Sequence, residues 1–210
     1  MKNAQTRKDS EFRDKAGFTL IELAIVLVII GIIIGAVLKG QDLVENARHK
    51  RLGAEIKQWE VLIWTYFDRE RRFPGDAGGN GTIGEATEDP KADFTNAAFA
   101  SQPSTNTLTL GSSTFYIYFG NAGAKKNAII VCVSDGCTGT FSAPEETGYA
   151  KFFDGAIDDT ADGAAGRVLG FDTVTTALSA TWRAEIASAT TATNYTSATK
   201  AFAYFFDRKR

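Results

Sequence analysis

Gly17-Phe18-Thr19-Leu20-Ile21-Glu22 opens a run that stays apolar as far as Leu38. From Phe18 to Leu38 the clearly polar residues are Thr19 and Glu22. As a helix this run is about 31 Å long, close to the thickness of a bilayer's hydrocarbon core. It is too long for the apolar region of an ordinary secretory signal, and no small-x-small cleavage site comes after it. A carboxylate inside such a segment costs about 2.5–3.5 kcal/mol on insertion scales, so Glu22 calls for a partner.

Upstream, Met1 to Ala16 is polar, with Lys2, Arg7, Lys8, Arg13 and Lys15 set against Asp9, Glu11 and Asp14. Lys39, Arg48, Lys50 and Arg51 lie beyond the apolar run, so basic residues flank both ends and charge alone does not orient it. The Gly-Phe-Thr-Leu-Ile-Glu stretch in front of its apolar block resembles the N-terminus of the type IV pilin and type II secretion pseudopilin superfamily. The resemblance covers the first fifth of the chain. It implies that residues 1–17 are a cytoplasmic leader, cut after Gly17 by a prepilin peptidase. It also implies that the new N-terminal Phe18 is methylated and that Glu22 serves filament assembly. The implied product is a single-pass protein of the bacterial inner membrane with its head outside the cytoplasm. It would later join a filament in the periplasm or at the cell surface. The implied partners are other copies and other pilins through the N-terminal helix, the peptidase-methylase, and the inner-membrane assembly machinery.

Cleavage after Gly17 would place an amine on Phe18, one helical turn from Glu22. In a bundle of such helices, Glu22 of one copy could instead meet the amine of the next. A buried carboxylate is tolerated when paired and is very unfavourable alone, so the pairing would enforce register. The simpler reading is that Glu22 complements the positive end of its own helix dipole. Gly31 and Gly35, four apart, are either a small-residue packing face or a weak point in the helix. Many major pilins carry a Pro where this segment ends. Lys39-Gly40 stands here instead, which leans toward a minor pilin or a pseudopilin.

Beyond Gly40, Val44, Ala47, Leu52, Ile56, Trp59, Ile63 and Tyr66 recur at helical spacing between charged residues. One helix of roughly 80 Å is expected from about Phe18 to Arg71, with 18–38 as membrane or filament core and 39–72 as an amphipathic half. Phe73-Pro74-Gly75-Asp76 ends it, a phrase similar to turns in pilin-like proteins. About 140 residues remain, enough for one compact head over 73–210. Asp76 to Pro103 reads as a long surface loop. Thr107–Leu110 and Thr114–Phe119 flank a hairpin turn, and Ala128–Val133 is a third strand. Ser142 and Glu145 suggest the cap of a short helix bearing Tyr149, Phe152, Phe153 and Ile157. Strands are expected within Val168–Trp182 and Lys200–Phe206, and Asp207–Arg210 reads as a solvated tail. The expected fold class is α+β: a long N-terminal helix packed on a small antiparallel-sheet head.

The formal net charge is −2 for the whole chain. There is no broad basic excess, so composition gives no support for nucleic-acid binding by charge. Cys132 and Cys137 enclose Val-Ser-Asp-Gly, and in an oxidising compartment they would close a small disulfide loop and fix a local hairpin. The alternative is a pair of reduced core thiols. Asp158, Asp159 and Asp162 begin like a calcium loop, but Leu169 stands where an EF-hand needs Glu, so an EF-hand is excluded. A looser calcium site and a solvated acidic turn remain the two readings; no other cofactor is expected. His49, in the basic Arg48-His49-Lys50-Arg51 run, is expected at lipid headgroups or on the helix surface. No catalytic set stands out, and no enzyme is expected.

These features point to a pilin-like structural subunit, processed and assembled into a type IV pilus or a type II secretion pseudopilus. The rival is a membrane-anchored protein whose head captures DNA or a surface ligand.

Overall fold

The computed structural model describes residues 17–85, 88–123, 127–188 and 191–207. Its chain divides into two units, 1–44 and 45–210. Helix α1, Leu20–Glu70, runs through both, so its first part belongs to unit 1 and its last part to unit 2. In unit 1 every residue from Gly17 to Lys39 is exposed.

In unit 2, α1 turns one stripe inward. Leu52, Ile56, Trp59, Ile63 and Tyr66 are buried at steps of three and four, with Leu62 beside them. The sheet they cover has the order β4-β7-β3-β2-β6-β5, with β1 on β2. Its strands are β1 (Thr107–Leu110), β2 (Ser113–Ala122), β3 (Asn127–Cys132), β4 (Val168–Phe171), β5 (Thr176–Leu178), β6 (Arg183–Ile186) and β7 (Ala201–Tyr204). All pairs are antiparallel except β2 with β6, which is parallel. The chain is therefore α+β, a long N-terminal helix with an antiparallel-dominated sheet domain.

Strand alternation separates two cores. Phe115, Ile117, Phe119, Ile129, Val131, Phe202 and Tyr204 join the α1 stripe. Tyr118, Ala128, Ile130, Cys132, Ala201 and Ala203 form the opposite face. The parallel β2–β6 contact is close: a Cβ on Gly120 would sit in the Ala184 carbonyl.

Three expectations from the sequence need correction. The stretch from Asp76 to Pro103 is not all loop, because α2 spans Pro90–Ala97. Asp89 caps it, its Oδ1 accepting the Ala92 N–H at 2.9 Å, and Pro90 supplies the pre-set first turn. Helix α3, Pro144–Asp158, is capped at Ala143 rather than Ser142. Glu146, not Glu145, accepts the Ala143 N–H. Val168–Trp182 holds two short strands, as expected, and the β1–β2 hairpin forms as expected around Gly111, whose φ is +63°. Asp207 is not a free tail residue; its carboxylate accepts the Asn127 N–H. Residues 208–210 lie outside the described residues.

The loop after α1 is organised by buried carboxylates. Asp76 accepts the N–H groups of Asn80 and Gly81, while Glu88 accepts those of Ala77 and Glu85. Each takes backbone donors that would otherwise be orphaned in a buried loop. Gly75 is required here, since φ is +78° and a Cβ would meet the Pro90 ring at 2.6 Å.

Candidate functional site

The expected site residues fall into three groups. The first is the N-terminal segment. Phe18 is 83% exposed, and α1 is, among the described residues, the one helix long and apolar enough to cross a membrane. Its 18-residue apolar window has a mean hydropathy of 3.0, with none of it buried. Nothing lies within 4 Å of a Cβ built on Gly31 or Gly35, so neither glycine is required by packing within the chain.

Glu22 has a local partner that sequence reasoning missed. The Thr19 N–H donates to Glu22 Oε2 at 2.8 Å and the Thr19 hydroxyl donates to the same oxygen at 2.7 Å. In return the Glu22 N–H donates to Thr19 Oγ1 at 3.3 Å. This is a reciprocal capping box, written in the sequence as Thr-x-x-Glu. It satisfies two donors at the helix start and holds the carboxylate over the positive helix end. Both Thr19 donors lie beyond the Gly17–Phe18 bond, so the box does not depend on residues 1–17. Those upstream of Gly17 lie outside the described residues.

The second group is the cysteine pair. Cys132 ends β3 and is disulfide-bonded to Cys137. Instead of the expected hairpin, β3 leads into a 3-10 turn, Asp135–Cys137, with Gly136 at φ +66°. The Tyr118 hydroxyl donates to Asp135 at 2.9 Å and accepts the Gly136 N–H at 2.8 Å. The crosslink thus pins a turn over the end of the sheet, against the β2 tyrosine.

The third group is the acidic run at the end of α3. Asp158 Oδ2 accepts the N–H groups of Arg167 and Val168, at 2.6 and 2.8 Å. Asp162 Oδ1 accepts those of Ala164 and Ala165, and Asp159 is the left-handed C-cap of α3. Among the described residues no three His, Cys, Asp or Glu side chains gather to hold a metal ion. Asp158 and Asp162 work here as acceptors for the backbone of the loop.

His49 and Arg48 turn toward the head. The His49 ring meets Tyr149 edge-on at 4.6 Å and Phe152 at 5.0 Å, and Arg48 faces Glu145 at 3.7 Å. The headgroup reading is corrected for Arg48 and His49, which meet α3, while Lys50 and Arg51 are exposed on the helix surface, the other reading.

The prokaryotic N-terminal methylation motif matches residues 12–38. No curated protein and no solved structure matches the chain. The match spans the leader end, Gly17, Phe18, Glu22 and the apolar run, and leaves the head unassigned. What the chain carries at its N-terminus is a type IV pilin-like prepilin motif, which supports a pilin- or pseudopilin-type precursor.

Proposed function

We propose that this protein is a prepilin-like structural subunit, cut between Gly17 and Phe18, methylated on Phe18, and packed into a thin filament through Phe18–Leu38. The filament is of the type IV pilus or type II pseudopilus kind. The single observation that carries this reading is the uncovered helix surface. A segment with no buried residue, in a chain whose head has a complete core of its own, needs lipid or other helices around it. The motif supplies the processing step and the membrane anchor supplies the starting state.

The capping box sharpens the role of Glu22. Its Oε2 takes both Thr19 donors, which leaves Oε1 for the Phe18 amine of a neighbouring copy. A helix start capped in this way keeps the carboxylate at a fixed height, so the neighbour's amine meets it in one register. The protein would be the peptidase's substrate and a structural subunit.

Two measurements test this. Intact mass from a host with active prepilin peptidase should show a chain beginning at Phe18 and bearing one methyl group; a retained leader would refute processing. Sheared filaments should contain the wild-type chain and be depleted at least tenfold of Glu22→Ala, while the processed variant stays in the membrane fraction. An equal filament share for both would remove the assembly role from Glu22. Absence of the wild-type chain from filaments would favour the membrane-anchored binding protein instead.

A further inference from the structure

Leu178 is 44% exposed and is, among the described residues outside α1, the one large apolar side chain left uncovered. It ends β5, which closes one end of the sheet. Two carboxylates border it. Glu185 lies diagonal to Leu178 on the same face, because β5 and β6 pair Thr176 with Glu185 and Leu178 with Arg183. Asp135, exposed on the 3-10 turn, is hydrogen-bonded to Ser179, the next residue along. Two cations at this end are engaged elsewhere: buried Arg183 donates to the Glu85 carbonyl, and Lys91 lies over the Trp182 ring at 5.7 Å. The β5 end is thus an apolar knob with an acidic border.

The opposite end of the sheet carries a hole of matching kind. Helix α3 is tied to β4 by the Asp158–Val168 bond, and its Phe153 ring packs on Phe202 and Tyr204 of β7. Between α3 and α1 runs a groove of about 230 Å³. A dry cavity of about 150 Å³ already admits benzene, so this groove is wide enough for a leucine side chain. Phe152 and Ile157 line its α3 wall, and Gly53 lets α1 come close, since a Cβ there would touch the Phe153 ring at 3.4 Å. Its α1 rim is His49, Lys50 and Lys57, and no carboxylate lines it. Lys57 shares its charge with Glu60 at 2.9 Å, while Lys50 is exposed.

We propose that Leu178 of one copy seats in the α1–α3 groove of the next copy, with Glu185 and Asp135 facing Lys50 and Lys57. Size and charge agree on this occupant: an apolar knob with acidic edges meets an apolar groove with a basic rim. Knob and groove sit at opposite ends of the sheet, so each copy offers its knob to one neighbour and its groove to another. Such a heterologous contact closes into a ring or runs on as a helical array. The filament reading, on which this proposal rests, selects the array. One knob buries too little surface to hold two heads together in solution. It acts where the N-terminal helices already keep copies side by side.

The test uses the full chain in a host that assembles it. Leu178→Cys and Ala156→Cys, the latter on the groove's exposed edge, are placed in one chain and treated with a short bismaleimide. Cys132 and Cys137 are bonded to each other and do not react. The double variant should give a ladder of linked multimers, and each single variant should stay monomeric. Membranes and sheared filaments are analysed separately. No ladder in either fraction, or equal linking in the single variants, would overturn the contact, and filaments containing the wild-type chain would still uphold the filament reading. A ladder in membranes, with the wild-type chain absent from filaments, would uphold the contact and remove the filament reading. Leu178→Asp should lower the filament share at least fivefold and leave the urea midpoint of the head near the wild-type value, because the side chain is already exposed. A filament share equal to that of the wild type would also overturn the contact.

Discussion

The first and second halves of helix α1 have the same backbone and opposite surroundings. Ile25, Ile29 and Ile33 are about half exposed, whereas Leu52, Ile56, Trp59 and Ile63 are fully covered. Both stretches are rich in large apolar side chains, so composition does not separate them. Pattern does. From Glu45 onward, charged residues interrupt the apolar ones at helical spacing and leave one stripe for the sheet. Between Phe18 and Leu38 nothing interrupts them after Glu22, so no side is left for water. An amphipathic helix finds its partner within its own chain; one that is apolar all round must find it outside.

The contrast can be broken most directly by equal truncations in the two stretches. Trp59→Ala removes a ring that packs on Phe119 at 4.9 Å, Phe94 at 5.3 Å and Trp182 at 5.7 Å. It should cost the head about 3–5 kcal/mol in urea unfolding. Ile29→Ala should leave the same unfolding curve unchanged. A head destabilised by Ile29→Ala would mean that the apolar stretch has a partner in its own chain. Removing the crosslink with Cys132→Ser and Cys137→Ser together comes next. The closed loop is short, so the loss should be about 2 kcal/mol and felt around the 3-10 turn. Thiol labelling of exported, unreduced, denatured protein should find no reactive thiols in the wild type. Neither change should alter membrane association, which belongs to the other stretch.

The smallest effect is expected at the exit of the helix. Arg72 forks onto both oxygens of Asp93, at 2.6 and 2.8 Å, and the Gly75 N–H adds a third bond at 2.7 Å. Burial works to raise the Asp93 carboxyl, but these donors outweigh it and hold it below its ordinary range. A lowered folded value gives stability that is present above the ordinary aspartate range and lost as pH falls through the folded value. Arg72→Ala should cost about 1–2 kcal/mol at neutral pH. It should also shrink the acid-side loss of stability, measured as the difference between unfolding midpoints at pH 7 and pH 3. A variant with the wild-type acid profile would show that the fork does not set it.

How legible all this was in the sequence depended on range. The long helix was readable within two residues at each end because its pattern repeats over many turns. The β1–β2 hairpin was readable because Gly111 marks its turn. Helix α2 was hidden inside a stretch rich in Gly, Asn and Asp, although Asp89-Pro90 is a local start signal. At the candidate site, Gly17, Phe18 and Glu22 stood out by adjacency, while the Thr19–Glu22 box was spelled out and passed over. Asp76, Glu88 and Asp154 could not be told from surface carboxylates. Their distinction is burial, and burial is set by strands and loops far away in the chain. The parallel β2–β6 pairing has the same origin: it joins residues such as Gly120 and Ala184 that carry no mark of one another.

One contact in the head fixes a timetable. The Tyr204 hydroxyl donates to Glu60 across 144 residues of chain, and the Tyr204 ring lies in the core under α1. Strand β7 is made last, yet it lies inside the sheet, between β4 and β3. At ~5–20 residues per second, synthesis leaves the Leu52–Tyr66 stripe waiting roughly 7–30 s for that strand. During this interval the growing chain carries two sticky surfaces, one bound for lipid and one bound for β7. A ribosome stalled shortly before Ala201 would hold a chain already able to enter the membrane and still unable to close its head.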